Sequence, residues 1–225
     1  ARLGPMRVTQ AGLLSPRQVW HGVILIFSLA AFGGVYLAFV AGWTVIWIGL
    51  ASIAAGLLYT VGPYPMVNIG LGDLFVMFFF GFVAVCGTVF VQLGSIPQIA
   101  WLAALGVGAL TTNILVINNL RDMDTDRVAG RKNIPVLLGR KAGEWEFVLM
   151  LVISYFAIVM ALLLKLSSWW VLLPLATLPM GWRLFSDLRA ASEGPVFNLL
   201  LARTAQMLLI YSILLAIGLS GGRLI

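Results

Sequence analysis

Charge is what this sequence has least of. Asp, Glu, Lys and Arg make up 10% of its 225 residues, against about 25% in an ordinary soluble domain. So few charges cannot cover a surface that faces water. A mean hydropathy of +1.04 points the same way: the solvent is a lipid bilayer. Acids are scarcer still, eight in all and none before Asp73. Cysteine occurs once, at Cys86, which excludes a disulfide within the chain and a cysteine pair for metal. Set among Phe, Val and Gly, it reads as a small buried apolar residue. Histidine also occurs once; nothing stands at ligand spacing from His21, so it reads as an interfacial residue. The opening ARLGPMRVTQAGLLSPR has no apolar core, and a cleavable signal peptide is not expected there. The short alternating strands of a membrane barrel are missing too, and no low-complexity linker divides the chain.

What is present is a series of seven apolar runs, near 18–40, 44–61, 73–93, 98–119, 145–165, 169–186 and 196–219. Each is close to the roughly 20 residues a helix needs to cross a bilayer, and helices are the spanning structure left. Turn signals separate them: Ala-Gly-Trp at 41–43, Gly-Pro-Tyr-Pro at 62–65, Gly-Ser-Ile-Pro at 94–97 and Glu-Gly-Pro at 193–195. The expected fold is all-α: a polytopic transmembrane helical bundle forming one membrane-embedded domain over residues 1–225.

A net charge of +6 suggests nucleic acid at first, but the positions of the bases argue otherwise. With the N-terminal segment in the cytoplasm and seven crossings, the inner side holds Arg2, Arg7, Arg17, Arg121, Arg127, Arg131, Lys132, Arg140, Lys141, Arg183 and Arg189. The outer side holds Lys165 and Arg223, and Arg203 falls within the last run. That bias is what the positive-inside rule expects, so no nucleic-acid partner is expected. The same topology puts the acids of the stretch NNLRDMDTDRVAGRK on the cytoplasmic side, with Asp73 at an inner helix end.

Within that stretch, Asn118, Asp122 and Asp126 stand at i, i+4 and i+8, on one helical face. Two carboxylates so placed repel each other and are comfortable with a cation between them. Oxygen ligands on one open face suit Mg²⁺, which keeps some waters and takes further ligands from substrate phosphates; no His or Cys clusters nearby, which argues against zinc. Arg121, Arg127, Arg131 and Lys132 lie within one loop of the acids, and guanidinium groups hold phosphate oxygens in two-pronged geometry. Together these residues describe a diphosphate site. The plainer reading is a solvated juxtamembrane loop in which Asp and Arg pair. Asp124, at i+2, points off the shared face and reads as a surface acid.

NNLRDMDTDRVAGRKNIPVLLGRKAGE resembles the second aspartate motif of the UbiA superfamily of membrane prenyltransferases. The likeness is closest to the 1,4-dihydroxy-2-naphthoate polyprenyltransferases of menaquinone biosynthesis. RVTQAGLLSP at 7–16, LYTVGPYP at 58–65 and the segment from Gly70 to Gly81 agree as well. The resemblance implies nine helices around a cavity, with two aspartate motifs holding Mg²⁺ and a polyprenyl diphosphate at its cytoplasmic end. Ionisation gives an allylic cation, and 1,4-dihydroxy-2-naphthoate attacks it with loss of CO₂ and diphosphate, giving demethylmenaquinone. The cell (inner) membrane is the location implied. The first motif, Asn-x3-Asp-x3-Asp, should precede RVTQAG and is not in this sequence. About seven helices are counted where nine are expected. About two helices and one motif are thus expected to be missing at the N-terminus, and this chain alone is expected to be inactive.

On that resemblance Asp122 and Asp126 are Mg²⁺ ligands, with Asn118 joining or orienting them. Arg7, Arg121, Arg127, Arg131 and Lys132 are placed at the diphosphate. Asp73, in Gly-Leu-Gly-Asp, either favours a helix dipole or contacts the aromatic acceptor and its hydroxyl proton. Tyr59 either lines the cavity or belongs to an interfacial aromatic belt. Hydroxybenzoate relatives carry a lysine four residues after such a tyrosine; here Pro63 stands there, so a different acceptor pocket is expected. The Phe78, Phe79, Phe80 and Phe82 cluster reads as packing or lipid contact ahead of cation stabilisation. Arg203 either faces a cavity or snorkels. Two other readings stay open: a relative with another acceptor (homogentisate, 4-hydroxybenzoate, haem or chlorophyllide), or a membrane transporter. The transporter would want charges at mid-membrane. A CDP-alcohol phosphotransferase would need an Asp-Gly pair that is absent.

Overall fold

The computed structural model describes residues 8–60, 68–192 and 194–221. The described residues are mostly helical, with no strand among them. α1 spans Pro16–Ala41 and α2 Thr44–Thr60. α3 is one span, Gly72–Leu93, whose middle, Met77–Cys86, is wound with π-helical turns. α4 is Gln98–Arg121, followed by two short helices, α5 (Met123–Val128) and α6 (Ile134–Leu138). α7 is Arg140–Leu163. A 3₁₀ segment, Trp169–Thr177, runs directly into α8, Leu178–Ala190, and α9 is Gly194–Gly221. Each of the seven apolar runs coincides with one of the long segments. Among the described residues five helices are long and apolar enough to cross a bilayer: α1, α3, α4, α7 and α9. The chain is a multi-pass helical membrane protein.

Two runs depart from a plain span. α2 has 17 residues and is about 26 Å long, short for a span. The run from 169 is 3₁₀ for its first nine residues. Pro174 within it carries no N–H to donate and so cannot sustain an α-helical bond. Thr177 Oγ1 donates to the Pro174 carbonyl at 2.7 Å, and its oxygen lies 2.8 Å from the Tyr155 hydroxyl of α7.

α4 is the hub. Thirteen of its 24 residues are buried, six of them Ala or Gly (Ala100, Ala103, Ala104, Gly106, Gly108 and Ala109). Lipid supplies no hydrophobic drive between helices, so small residues that admit close backbone approach decide where spans meet. A Cβ on Gly81 of α3 would lie 2.7 Å from the Ala104 carbonyl oxygen and 2.8 Å from Gly108 Cα. At the other faces of α4, a Cβ on Gly143 of α7 would lie 2.8 Å from Leu120, and one on Gly106 would lie 2.6 Å from the Tyr211 hydroxyl of α9. That hydroxyl donates to the Ser154 carbonyl of α7 at 2.8 Å. α3, α7 and α9 thus ring α4. α1 buries no residue and packs at the edge on α2 and on the end of α3.

Candidate active site

The chemistry-bearing residues gather at one end of this ring. There α4 ends, α3 and α9 begin, and α5 and α6 form the connection to α7. The continuous helical face expected for Asn118, Asp122 and Asp126 is interrupted. α4 stops at Arg121, Asp122 takes φ −95° and ψ 6°, and α5 starts at Met123. The kink keeps the i to i+4 pattern. Asp122 N–H donates to the Asn118 carbonyl at 3.0 Å and Asp126 N–H to the Asp122 carbonyl at 2.8 Å.

Each acid has a basic partner. Arg121 donates through Nε to Asp122 Oδ1 at 2.8 Å and through a terminal nitrogen to Oδ2 at 2.7 Å. It also donates to Asn118 Oδ1 at 2.7 Å and to Asn198 Oδ1 of α9 at 2.9 Å. Its guanidinium is therefore spent on three internal side chains, and the side chain is 7% exposed. Asp126 is buried. Its Oδ1 accepts from Arg131 at 3.0 Å and its Oδ2 from Asn133 at 2.9 Å. Burial pushes the Asp126 carboxyl above the usual range, and so does nearby Asp122, while Arg131 and the two hydrogen bonds pull it back. Asp124 meets Arg127 at 3.4 Å on the exposed outside of α5, as the spacing suggested. Lys132 has an exposed side chain. Arg7, Tyr64 and Pro63 lie outside the described residues.

Asp73 joins this end from α3. It is buried and accepts from Asn119 Nδ2 at 3.3 Å. What holds its segment beside the acidic loop is Gly70, at φ +85°, where a Cβ would sit 2.5 Å from the Lys132 carbonyl oxygen. The position needs glycine both for its backbone angle and for its space. Tyr59, half-buried at the end of α2, puts its hydroxyl against Gly72, 3.3 Å from where a Cβ would be. The Tyr59 ring leans on Phe75 at 4.9 Å between centroids, and Phe75 stacks on Phe79 at 4.4 Å. Phe78 and Phe80 are exposed.

Sequence reading missed four residues here. Asn119 is one position from Asn118 but about 100° round the helix, and it is the asparagine that meets Asp73. Asn133 caps α6, its Oδ1 accepting from Val136 N–H at 3.0 Å, while its amide holds Asp126. An asparagine just before Ile-Pro is a helix-start signal that could have marked it. Arg140 donates to the Leu188 and Ala191 carbonyls at 2.8 and 2.6 Å, closing the end of α8. Glu146 is buried on α7. Arg203, for its part, pairs with Asp187 at 3.1 Å with both side chains about half exposed.

Among the described residues no group of three or more His, Cys, Asp or Glu side chains could hold a metal. Asp122 is close enough to Asp126 to help raise its carboxyl above the usual range, and the Asn118 oxygen lies on the same guanidinium as Asp122. The donor set is all oxygen, and Asp122 keeps 21% of its side chain exposed. It fits a hard divalent cation that draws its remaining ligands from water and phosphate.

The UbiA prenyltransferase family matches residues 2–201. The chain belongs to that family. It is a prenyltransferase, with the polytopic helical fold its spans describe. It is 31% identical over 223 residues to a 1,4-dihydroxy-2-naphthoate octaprenyltransferase of Mycobacterium tuberculosis, covering 99% of this chain and 75% of that one. It is 30% identical to the protein of the same name in Escherichia coli, with 96% and 72% covered. To the rat UbiA prenyltransferase domain-containing protein 1 it is 28% identical, with 92% and 60% covered. No solved structure matches it.

Proposed function

We propose that this prenyltransferase moves a polyprenyl group from polyprenyl diphosphate to 1,4-dihydroxy-2-naphthoate, at the cytoplasmic face of the cell membrane. The observation that carries the reading is the convergence of Asp122, Asp126 and their arginines with Asp73 and Tyr59 at one helix end. The names of the relatives supply the acceptor.

The roles follow from the partners. Asp122, Asp126 and Asn118 would hold Mg²⁺. Bound there, the metal supplies charge neutralisation to the departing diphosphate. Arg127, Arg131 and Lys132 are the exposed bases that can take the diphosphate oxygens. Arg121 reaches them only by releasing Asn198 or Asn118, so its first role is to hold Asp122 in place. Asp73 and Tyr59 face the acceptor, with Phe75 and Phe79 behind them. The allylic C–O bond breaks, the ring carbon bearing the carboxylate forms the new C–C bond, and CO₂ leaves from that carbon.

The test is transfer of a radiolabelled prenyl group from a prenyl diphosphate to 1,4-dihydroxy-2-naphthoate by the full protein in membranes, with and without Mg²⁺. Metal-dependent prenylated naphthoquinol is expected. Absence of product with this acceptor, together with turnover of homogentisate or 4-hydroxybenzoate, overturns the acceptor; absence with all of them overturns the reaction.

A further inference from the structure

One ion pair stands apart from the acidic loop and has no part in the reaction. Arg203 of α9 donates to Asp187 Oδ2 of α8 at 3.1 Å, and both side chains are about half exposed. Two clefts flank this pair in the groove between α8 and α9, and both are lined by Arg203 and Asp187. The first, about 280 Å³, reaches Ala190 and Val196, where α8 ends and α9 begins. The groove therefore opens at the same end of the bundle as the candidate active site. The second, about 270 Å³, lies on the other side of the pair and adds Arg183, Gln206, Met180 and Leu184.

Donors outnumber acceptors in that second cleft. Arg183, Arg203 and Gln206 are all exposed, and Arg183 and Gln206 make no hydrogen bond among the described residues. Asp187 is the one acid, and Arg203 takes its Oδ2, leaving Oδ1 open. Two cations against one anion leave an excess positive charge, and guanidinium groups match phosphate oxygens in geometry. The rest of the lining, Met180 and Leu184, is apolar. Beyond Gln206, α9 presents Leu209 and Ile213, both exposed, at i+3 and i+7 on the same face. Trp182, beside Arg183, is 73% exposed, and tryptophan gathers where a membrane meets water. Arginine stems can lie along apolar surface while their heads reach toward the headgroups. Phosphate-binding donors with an apolar strip leading from them into the bilayer match the two parts of a phospholipid.

We propose that the cleft between α8 and α9 binds one anionic phospholipid of the phosphatidylglycerol type by its headgroup. The phosphate oxygens accept from Arg183, Arg203 and the Gln206 amide. A headgroup hydroxyl donates to Asp187 Oδ1, and an acyl chain follows Leu209 and Ile213. The excess positive charge selects a headgroup that brings no cation of its own. Phosphatidylcholine is disfavoured because its ammonium group cancels the phosphate and has no proton to donate to Asp187. The bound lipid bridges α8 and α9 at the membrane surface. This site is independent of which acceptor the enzyme prenylates.

The test is native mass spectrometry of the full protein in detergent, titrated in turn with phosphatidylglycerol, phosphatidylethanolamine and phosphatidylcholine. Wild type is compared with Arg183→Gln, Arg203→Gln and Arg189→Gln. Arg189 is an exposed base on the same helix that does not line the cleft; its guanidinium lies over the Phe185 ring at 5.8 Å. The wild type should retain one phosphatidylglycerol in preference to the other two lipids. Arg183→Gln and Arg203→Gln should each weaken that retention about fivefold, and Arg189→Gln should leave it unchanged. Equal retention of all three lipids overturns the proposal, and so does preference for either zwitterionic lipid. An equal loss in Arg189→Gln also overturns it, because the attraction is then general basic charge. Inorganic phosphate is the further arm: displacement of phosphatidylglycerol by millimolar phosphate shows a site for the free anion and overturns the lipid. If Arg203→Gln lowers the melting temperature, Arg183→Gln decides, since Arg183 makes no bond that its loss would break.

Discussion

Arg121 holds both oxygens of Asp122, at 2.8 and 2.7 Å, with one guanidinium that also spans to Asn198 of the last helix. One side chain thus orients an acid of the candidate metal site and ties α4 to α9. Lysine keeps the charge but loses the fork. Arg121→Lys is expected to destabilise the protein by about 1–2 kcal/mol, the worth of one or two lost hydrogen bonds, because the charge opposite Asp122 remains. Thermal unfolding in detergent measures this, and a melting curve unchanged from wild type would refute it.

Asp122→Asn and Asp126→Asn each remove a charged oxygen donor while keeping the shape of the side chain. Transfer should fall at least about a hundredfold for each, with normal insertion into membranes. Product chromatography at saturating Mg²⁺ decides; near-normal turnover by either variant rules that residue out as a metal ligand.

The contact of Gly70 with the Lys132 carbonyl is the joint between the Asp73 segment and the acidic loop. Gly70→Ala must strain a φ of +85° and place a methyl carbon 2.5 Å from an oxygen. Separation of the two segments is the expected outcome. It should be seen as faster proteolysis within 129–132 and a raised KM for the acceptor, with the spans intact. Unchanged proteolysis and kinetics would show that the joint is dispensable.

Gly81 and Gly108 let α3 and α4 touch backbone to backbone. Ala at Gly81 should destabilise by about 1–3 kcal/mol as the helices are forced apart. Gly87 lies on the same helix with nothing within 4 Å of its would-be Cβ, so Ala there should be neutral or mildly stabilising. The contrast between the two variants in one thermal assay is the measurement. Equal melting temperatures would contradict the close approach.

The scarcity of charge and the length of the apolar runs determined the membrane, the helical class and the segment count. These depend on composition and span length, and lipid accepts little else. Spacing likewise proposed Asn118, Asp122 and Asp126 as one group, and although the helix breaks at Asp122 the i to i+4 backbone bonds continue across the break. Partnership was beyond its reach. Nothing local tells that Arg121 turns inward to Asp122 and Asn198 while Arg127 turns out to Asp124, or that Asn119 and not Asn118 finds Asp73. Those choices are made by how closely α3, α7 and α9 approach α4, which glycines at 81, 106 and 143 permit. The same approach leaves Glu146, an unremarked residue of an apolar run, buried with an oxygen to spare.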